Sequence, residues 1–351
     1  MNQPLQGKLD QIGRRFNANA KVNGLSLAIE QPAREFAWSF GNTHQQFFIA
    51  SITKLFTTAM IMQLRHEGLL TLETPVAQLI GEDTMSGLVI HRGHDYAAEI
   101  TVRELLAHTS GIPDFFDQKR PDGSTFVADA LKTDSLVGFD QIMQMTRELP
   151  SPFPPATAGK AHYGDTNYEL LGRIIEVVTA QDFGQAVATR ILDSLGLTST
   201  WLFTEQTLDR YGEQASVFYG RIPVSAPKTI ASTPASGAIV STPSEQLRFL
   251  RAFMTGELFP SEYLTEMASN WRSVFSPAVP LDYGTGLMRF KLPRWQSPFA
   301  PVPEMIGHSG SLGTVLYYVP QHDLYISGTV NQMRHPSLPY PLLAQLAGVF
   351  N

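Results

Sequence analysis

The 351-residue sequence contains no cysteine. Disulfides, thiolate metal ligands and thiol nucleophiles are thereby excluded, and the redox compartment leaves no imprint. Long apolar runs are missing too, since none approaches the roughly 18 residues of a membrane span. The N-terminal stretch carries Lys8, Asp10, Arg14 and Arg15 with no apolar segment between them, so no secretory signal is legible. The expectation is a cytoplasmic protein, or an exported one whose signal has been removed. Positive charge is scarce: Lys and Arg total 26 against 32 Asp and Glu, a net charge of −6, and no basic cluster exceeds Arg14-Arg15 or Lys119-Arg120. That distribution points away from nucleic acid as a partner.

What is present is the composition of a chain that folds. Hydrophobic residues make up 43 % and charged residues 17 %, far from the mixture that stays disordered. At about 150 residues per domain the length amounts to roughly two domains, enough to bury a core without staples. Apolar periodicity predicts a helix over 4–19, strands over 24–30 and 35–40, and a long helix that begins near Ser51 and ends at Glu67-Gly68. From about 74 to 226 the pattern becomes short helical stretches broken by loops, with helices expected over 102–108 and 166–179. Beyond Pro234 a helix is expected over 244–254, strands over 286–290, 314–319 and 324–330, and a closing helix over 340–349. Strands at both ends and helices in the middle imply an α+β chain. One sheet is expected from the two ends of the chain, residues 1–73 and 227–351, with 74–226 as an inserted, mostly helical subdomain. No repeat or low-complexity linker separates independent domains.

Three segments carry groups capable of chemistry. In Ser51-Ile52-Thr53-Lys54 a hydroxyl and an amine lie three residues apart on a predicted helix, hence on one face. A serine attacks a carbonyl only if a base removes its proton, and a buried lysine can be that base. The competing reading is a capping serine and a solvated lysine. Ser225-Ala226-Pro227-Lys228 has the same spacing, but Pro227 is expected to break any helix between the two groups. The second segment, His162-Tyr163-Gly164-Asp165, is polar and aromatic and opens the helix that follows; Asp165 is equally suited to an N-cap. The third, Gly307-His308-Ser309-Gly310-Ser311-Leu312-Gly313, reads either as a strand that lets a ligand approach the backbone or as a Gly-rich turn. His91, His94 and Asp95 have a spacing compatible with metal ligation, yet lie in a polar loop, and no metal or other cofactor is expected. Tyr283-Gly284-Thr285-Gly286 is too short for a nucleotide fingerprint, and no Gly-x-Ser-x-Gly elbow occurs.

In order and spacing these segments resemble the serine β-lactamase and penicillin-binding protein superfamily, in the branch of class C β-lactamases, DD-peptidases, D-amino-acid amidases and peptidases, and β-lactamase-fold esterases. Ile100–Gly111, Tyr168–Gly172 and Ser236–Thr242 add to the likeness, which runs from about residue 20 to 335. The resemblance implies that the sheet is antiparallel and flanked by helices, and that Ser51 is the acylated nucleophile, with Lys54 and Tyr163 sharing acid and base work. It implies an oxyanion hole of the backbone N–H of Ser51 and that of Ser311, on the strand just after Gly310, and substrate contacts from Asp165, His308, Ser309 and Gly310. Two positions depart from the pattern. Asp165 stands where the branch has Asn, placing an anion near Lys54 or beside a substrate ammonium. His308 stands where lysine is usual, a weaker anchor for a carboxylate. The expectation is therefore a serine hydrolase for small esters, or for amides and peptides of D-amino acids, with β-lactamase or DD-carboxypeptidase as the runner-up. An inactive relative that binds a ligand or acts as a scaffold is the alternative of another class.

Overall fold

Apolar residues spaced for helix or strand set each element described here. A computed structural model of the chain describes residues 3–275, 279–293, 295 and 301–351. The opening helix, Gln3–Asn17, buries Leu9, Gly13 and Phe16. It leads to β1 (Ser26–Gln31), β2 (Phe36–Phe40) and the short β3 (Phe47–Phe48). The middle of the chain holds β4 (Ile90–His91), β5 (His94–Asp95), β6 (Trp201–Leu202), β7 (Val217–Tyr219), β8 (Ile222–Val224) and β9 (Ile239–Ser241). Six strands follow: β10 (Arg272–Ser273), β11 (Leu281–Tyr283), β12 (Met288–Phe290), β13 (Met305–Gly310), β14 (Thr314–Val319) and β15 (Leu324–Thr329).

The main sheet is antiparallel and eight-stranded in the order β10-β11-β12-β13-β14-β15-β1-β2, so strands from the two ends of the chain meet where β1 pairs β15. Helices cover both faces. On one face Gln3–Asn17 and the closing helix Pro339–Gly348 pack Leu9, Leu343 and Leu346 against Ile29, Tyr317 and Ile326. On the other, the helices Thr53–His66 and Pro243–Thr255 meet through Phe56 and Phe249, whose rings stack 3.7 Å apart at 4°. Burial on both sides explains why β14 and β15 read as nearly unbroken apolar runs rather than alternating ones.

Residues between Thr74 and Ala226 supply short helices, among them Val102–Leu106, Phe126–Ala130 and Phe139–Arg147, and the long Asp165–Thr179 helix. Thr101 and Glu104 form a capping box that fixes where the first begins. Three local expectations are corrected. Asp165 is the first helical residue, with Gly164 at the cap position, so it is not the N-cap. Pro227 opens the helix Pro227–Ala231 rather than breaking one, because a proline at the first helical position forfeits no hydrogen bond; Ser225 lies outside that helix, away from any shared face with Lys228. Ser311 sits in the turn between β13 and β14, not on the strand.

Candidate active site

The segment before Ser51 is held tightly. Strand β3 ends in a single 3-10 turn, Ala50–Ile52, that feeds directly into the helix Thr53–His66. Ala50 adopts a left-handed φ of 51°, a conformation that costs a non-glycine residue about 1 kcal/mol or more. The hairpin β13-β14 clamps this turn: the Thr314 hydroxyl donates to the Ile49 carbonyl at 2.8 Å. Gly310 allows the close approach, since a Cβ there would lie 2.6 Å from the Ile49 oxygen and 2.8 Å from Ala50 Cβ.

One helical step beyond Ser51, the Lys54 side chain is fully buried. Its Nζ donates to Ser51 Oγ at 3.3 Å, to Asp165 Oδ1 at 2.5 Å and to the Ser236 carbonyl at 3.0 Å, using all three ammonium protons. Burial is the largest influence on this amine and disfavours the charged form. The Asp165 carboxylate and the Tyr163 phenol outweigh it and hold the pKa above the ordinary lysine value. Lys54 is therefore an ammonium at neutral pH. The Tyr163 phenol interacts with both Ser51 and Lys54; burial pushes its pKa up, the Lys54 charge opposes that rise and the Asp165 charge adds to it. Tyr163 is thus a neutral phenol whose ionisation depends on a cation whose Nζ lies 5.0 Å from its ring centre.

The carboxylate of Asp165 is positioned by a loop from the helical region. Asp114, fully buried, accepts from the Asp165 N–H at 2.8 Å and from the Asp117 N–H at 2.9 Å, so its carboxyl serves the start of the Asp165–Thr179 helix in place of a local cap. Burial raises the pKa of Asp114, with the neighbouring Asp165 charge adding to the effect. His108, also fully buried and with a left-handed φ of 56°, accepts at Nδ1 from the Gly164 N–H at 3.3 Å and pairs there with Asn167 Nδ2 at 3.2 Å. Its Nε2 has no hydrogen-bond partner and its ring packs 4.5 Å from those of both Tyr163 and Tyr283.

A cavity of about 380 Å³ opens beside Ser51, with Asp165, Ser236, Gly237 and Ser311 in its wall. The His308 imidazole, expected to contact substrate, is not part of that wall. It is 0 % exposed, with Nε2 3.1 Å from the Tyr283 hydroxyl and Nδ1 2.7 Å from the Ser309 carbonyl. Burial, then the Lys54 charge, lowers its pKa to about 3, so it is neutral. Ser309 pairs its hydroxyl with Tyr317 at 2.7 Å, and Gly310 is spent on the contact with Ala50. β13 thus holds His308, Ser309 and Gly310 outside that wall, while Ser311 in the turn lines it.

Comparison with known proteins bears directly on this constellation. The family model described as beta-lactamase matches residues 9–347. The chain belongs to that family. Among curated beta-lactamase-family relatives it is 31 % identical over 166 residues to penicillin-binding protein 4 of Amycolatopsis lactamdurans, covering 47 % of this chain and 38 % of that one. It spans between 38 and 53 % of the length of the first curated relatives it matches. Among solved structures, a D-stereospecific amidohydrolase from Streptomyces sp. matches with a TM-score of 0.73 at 25 % identity, over 94 % of this chain and 95 % of that one. A D-amino acid amidase from Ochrobactrum anthropi SV3 gives 0.77 at 23 % identity over 99 % and 98 %, a likeness of fold.

The structure places Ser51, Lys54, Tyr163 and Asp165 beside one another, with Ser311 in the same cavity wall as Ser51 and Asp165, and surrounds them with four buried groups that sequence reasoning missed. These are His108, Asp114, Tyr283 and Glu169. Glu169 accepts from the Ser236 hydroxyl at 2.6 Å, behind the carbonyl that receives Lys54, and burial raises its pKa to about 8. His108, Asp114 and Glu169 left a trace only by position, in or near stretches that carried the family resemblance, and Tyr283 stood in a segment read only as too short for a nucleotide fingerprint. The His91 and His94 pair lies on the hairpin β4-β5, where His94 meets Glu99 at 3.3 Å and Asp95 binds the backbone of Gly87 and Ala97. Among the described residues no group of three potential ligands surrounds a metal site.

Proposed function

We propose that this chain is a serine hydrolase that works through an acyl-enzyme on small esters, or on amides and peptides of D-amino acids. The observation that carries the reading is the Ser51 hydroxyl, at the mouth of a cavity, within 3.3 Å of an ammonium that Asp165 holds charged and that lies 5.0 Å from the Tyr163 ring centre. In the proposed cycle the Tyr163 proton passes first to solvent, leaving a phenolate beside the Lys54 ammonium, and this phenolate takes the Ser51 proton as Oγ bonds to the carbonyl carbon. The resulting oxyanion faces the N–H groups of Ser51 and Ser311. As the intermediate collapses, the carbon–leaving-group bond breaks and Tyr163 returns its proton to the departing oxygen or nitrogen. Water then repeats the sequence on the Ser51 ester, and the acid leaves with Ser51 restored. Lys54 acts as a fixed cation that eases the formation of the phenolate, rather than as the base. The neutral, enclosed His308 offers no charge to a substrate carboxylate, which argues against efficient β-lactam or DD-peptide turnover.

Intact-protein mass spectrometry after brief exposure to p-nitrophenyl acetate and, separately, to a penicillin tests the assignment. Wild type is expected to gain an acyl adduct or to release p-nitrophenol by fast turnover, and Ser51→Ala to do neither. No adduct and no colour from the wild type would overturn the proposal in favour of a ligand binder or scaffold. A long-lived penicillin adduct would shift it to a penicillin-binding protein.

A further inference from the structure

The cavity beside Ser51 has an asymmetric chemistry. Its wall is dominated by apolar side chains contributed from across the chain, including Phe48, Phe116, Val127, Ile230, Leu312 and Met333. Among the described residues of the wall there is no Lys, Arg or His, while Asp117 and Asp165 are both present. Arg334 lies 5.9 Å from the Tyr219 ring without forming part of that wall. At the rim Leu131 is 41 % and Tyr219 42 % exposed, and Ile222, paired with Tyr219 across the β7-β8 hairpin, is 68 % exposed. Exposed apolar residues gathered at the mouth of an apolar cavity are what a ligand running out of that cavity would cover.

Position tells which half of the substrate enters. The group that protonates the leaving atom must stand within hydrogen-bond reach of it. Tyr163, whose ring centre lies 5.0 Å from the Lys54 Nζ that donates to Ser51, does not belong to the cavity wall, whereas Asp165, Gly237 and Ser311 do. The leaving group therefore departs on the Tyr163 side, and the acyl group extends the other way, into the cavity.

Resting on the acyl-enzyme reading above, we propose that the cavity is an acyl-chain site that selects uncharged apolar acyl groups of about eight to twelve carbons and rejects acyl groups that carry a carboxylate. A dry cavity of about 150 Å³ is known to accommodate a six-carbon ring, so 380 Å³ suits roughly twice that many carbons. Each methylene buried raises binding by up to about fourfold, which gives a chain-length dependence large enough to read. An ω-carboxylate would enter a wall that holds two carboxylates and no cation, and would lose its hydration without a partner.

The test is a series of p-nitrophenyl esters from acetate to dodecanoate, with a glutarate half-ester set against pentanoate. The kcat/KM of the wild type is expected to climb at least tenfold from acetate to octanoate and to level off by dodecanoate, with the glutarate half-ester at least tenfold below pentanoate. Ile230→Trp, which narrows the cavity, is expected to lower the octanoate-to-acetate ratio about tenfold or more. Should that variant fail to fold, Leu131→Glu at the exposed rim serves the same purpose. General damage to the protein would depress both esters together and leave the ratio unmoved. A flat series, or one that falls beyond acetate, overturns the acyl-chain site while leaving the serine hydrolase in place. Equal hydrolysis by Ser51→Ala would instead remove the reading on which the proposal rests.

Discussion

At the scale of single residues, Asp165 decides how the site distributes its protons. Its carboxylate favours the Lys54 ammonium and opposes ionisation of Tyr163. Replacing it by asparagine removes both effects, so the pKa values of Lys54 and Tyr163 fall together. If phenolate is the base, the acidic limb of the kcat/KM profile of Asp165→Asn moves to lower pH than in the wild type. An unmoved or upward-shifted limb in a stopped-flow titration with an ester substrate would show that Tyr163 is not the titrating base. Tyr163→Phe removes the group itself and is expected to cost about 10²- to 10⁴-fold in kcat while leaving the melting temperature close to that of the wild type. His108 has a different part: it packs beside Tyr163 and holds Gly164 and Asn167 in place, so it orients the phenol without touching substrate.

At the scale of elements, the site depends on how closely a strand can approach a helix start. Gly310→Ala would place a Cβ 2.2 Å from Thr314 Oγ1 as well as against Ile49 and Ala50. Overpacking of this kind costs about 1–3 kcal/mol, and here the displaced segment is the one that presents Ser51. Urea unfolding should show that loss of stability, and ester turnover should fall with it. Elements with long periodic patterns were legible in the sequence. The Asp165–Thr179 helix, with Leu170, Leu171, Ile174 and Ile175 buried, was placed within one residue. The strands β10 and β11 went unseen, because two or three residues cannot display an alternation. The serine-lysine pair was legible because both groups sit on one local turn. The cavity was not, since its wall draws on residues from Phe48 to Pro336. Asp114, Glu169 and His308 look in sequence like any polar residue, and only tertiary packing makes them buried.

At the scale of the whole molecule, those buried groups tie stability to pH in opposite directions. Glu169 keeps its proton up to about pH 8 in the folded chain and to about 4.3 when unfolded, so the stability it supports is lost as pH rises through that window. His308 stays neutral down to about pH 3 when folded and titrates near 6.5 when unfolded, so its contribution is lost as pH falls below about 6.5. Each group adds a slope of up to about 1.4 kcal/mol per pH unit within its own range. The melting temperature of Glu169→Gln should therefore gain on the wild type between pH 6 and 9. A constant difference across that range would show that the carboxyl is not protonated in the native state.

The pairing of β1 with β15 sets a condition on how the molecule comes into being. Leu27 lies opposite Gly328, a partner that emerges from the ribosome about 300 residues later. At about 5–20 residues per second, the hairpin β1-β2 waits roughly 15–60 s with its apolar face and its inner edge uncovered. Such an edge is a template for wrong pairing. A ribosome that stops before β15 therefore releases a product whose β1 edge stays unpaired and prone to aggregate.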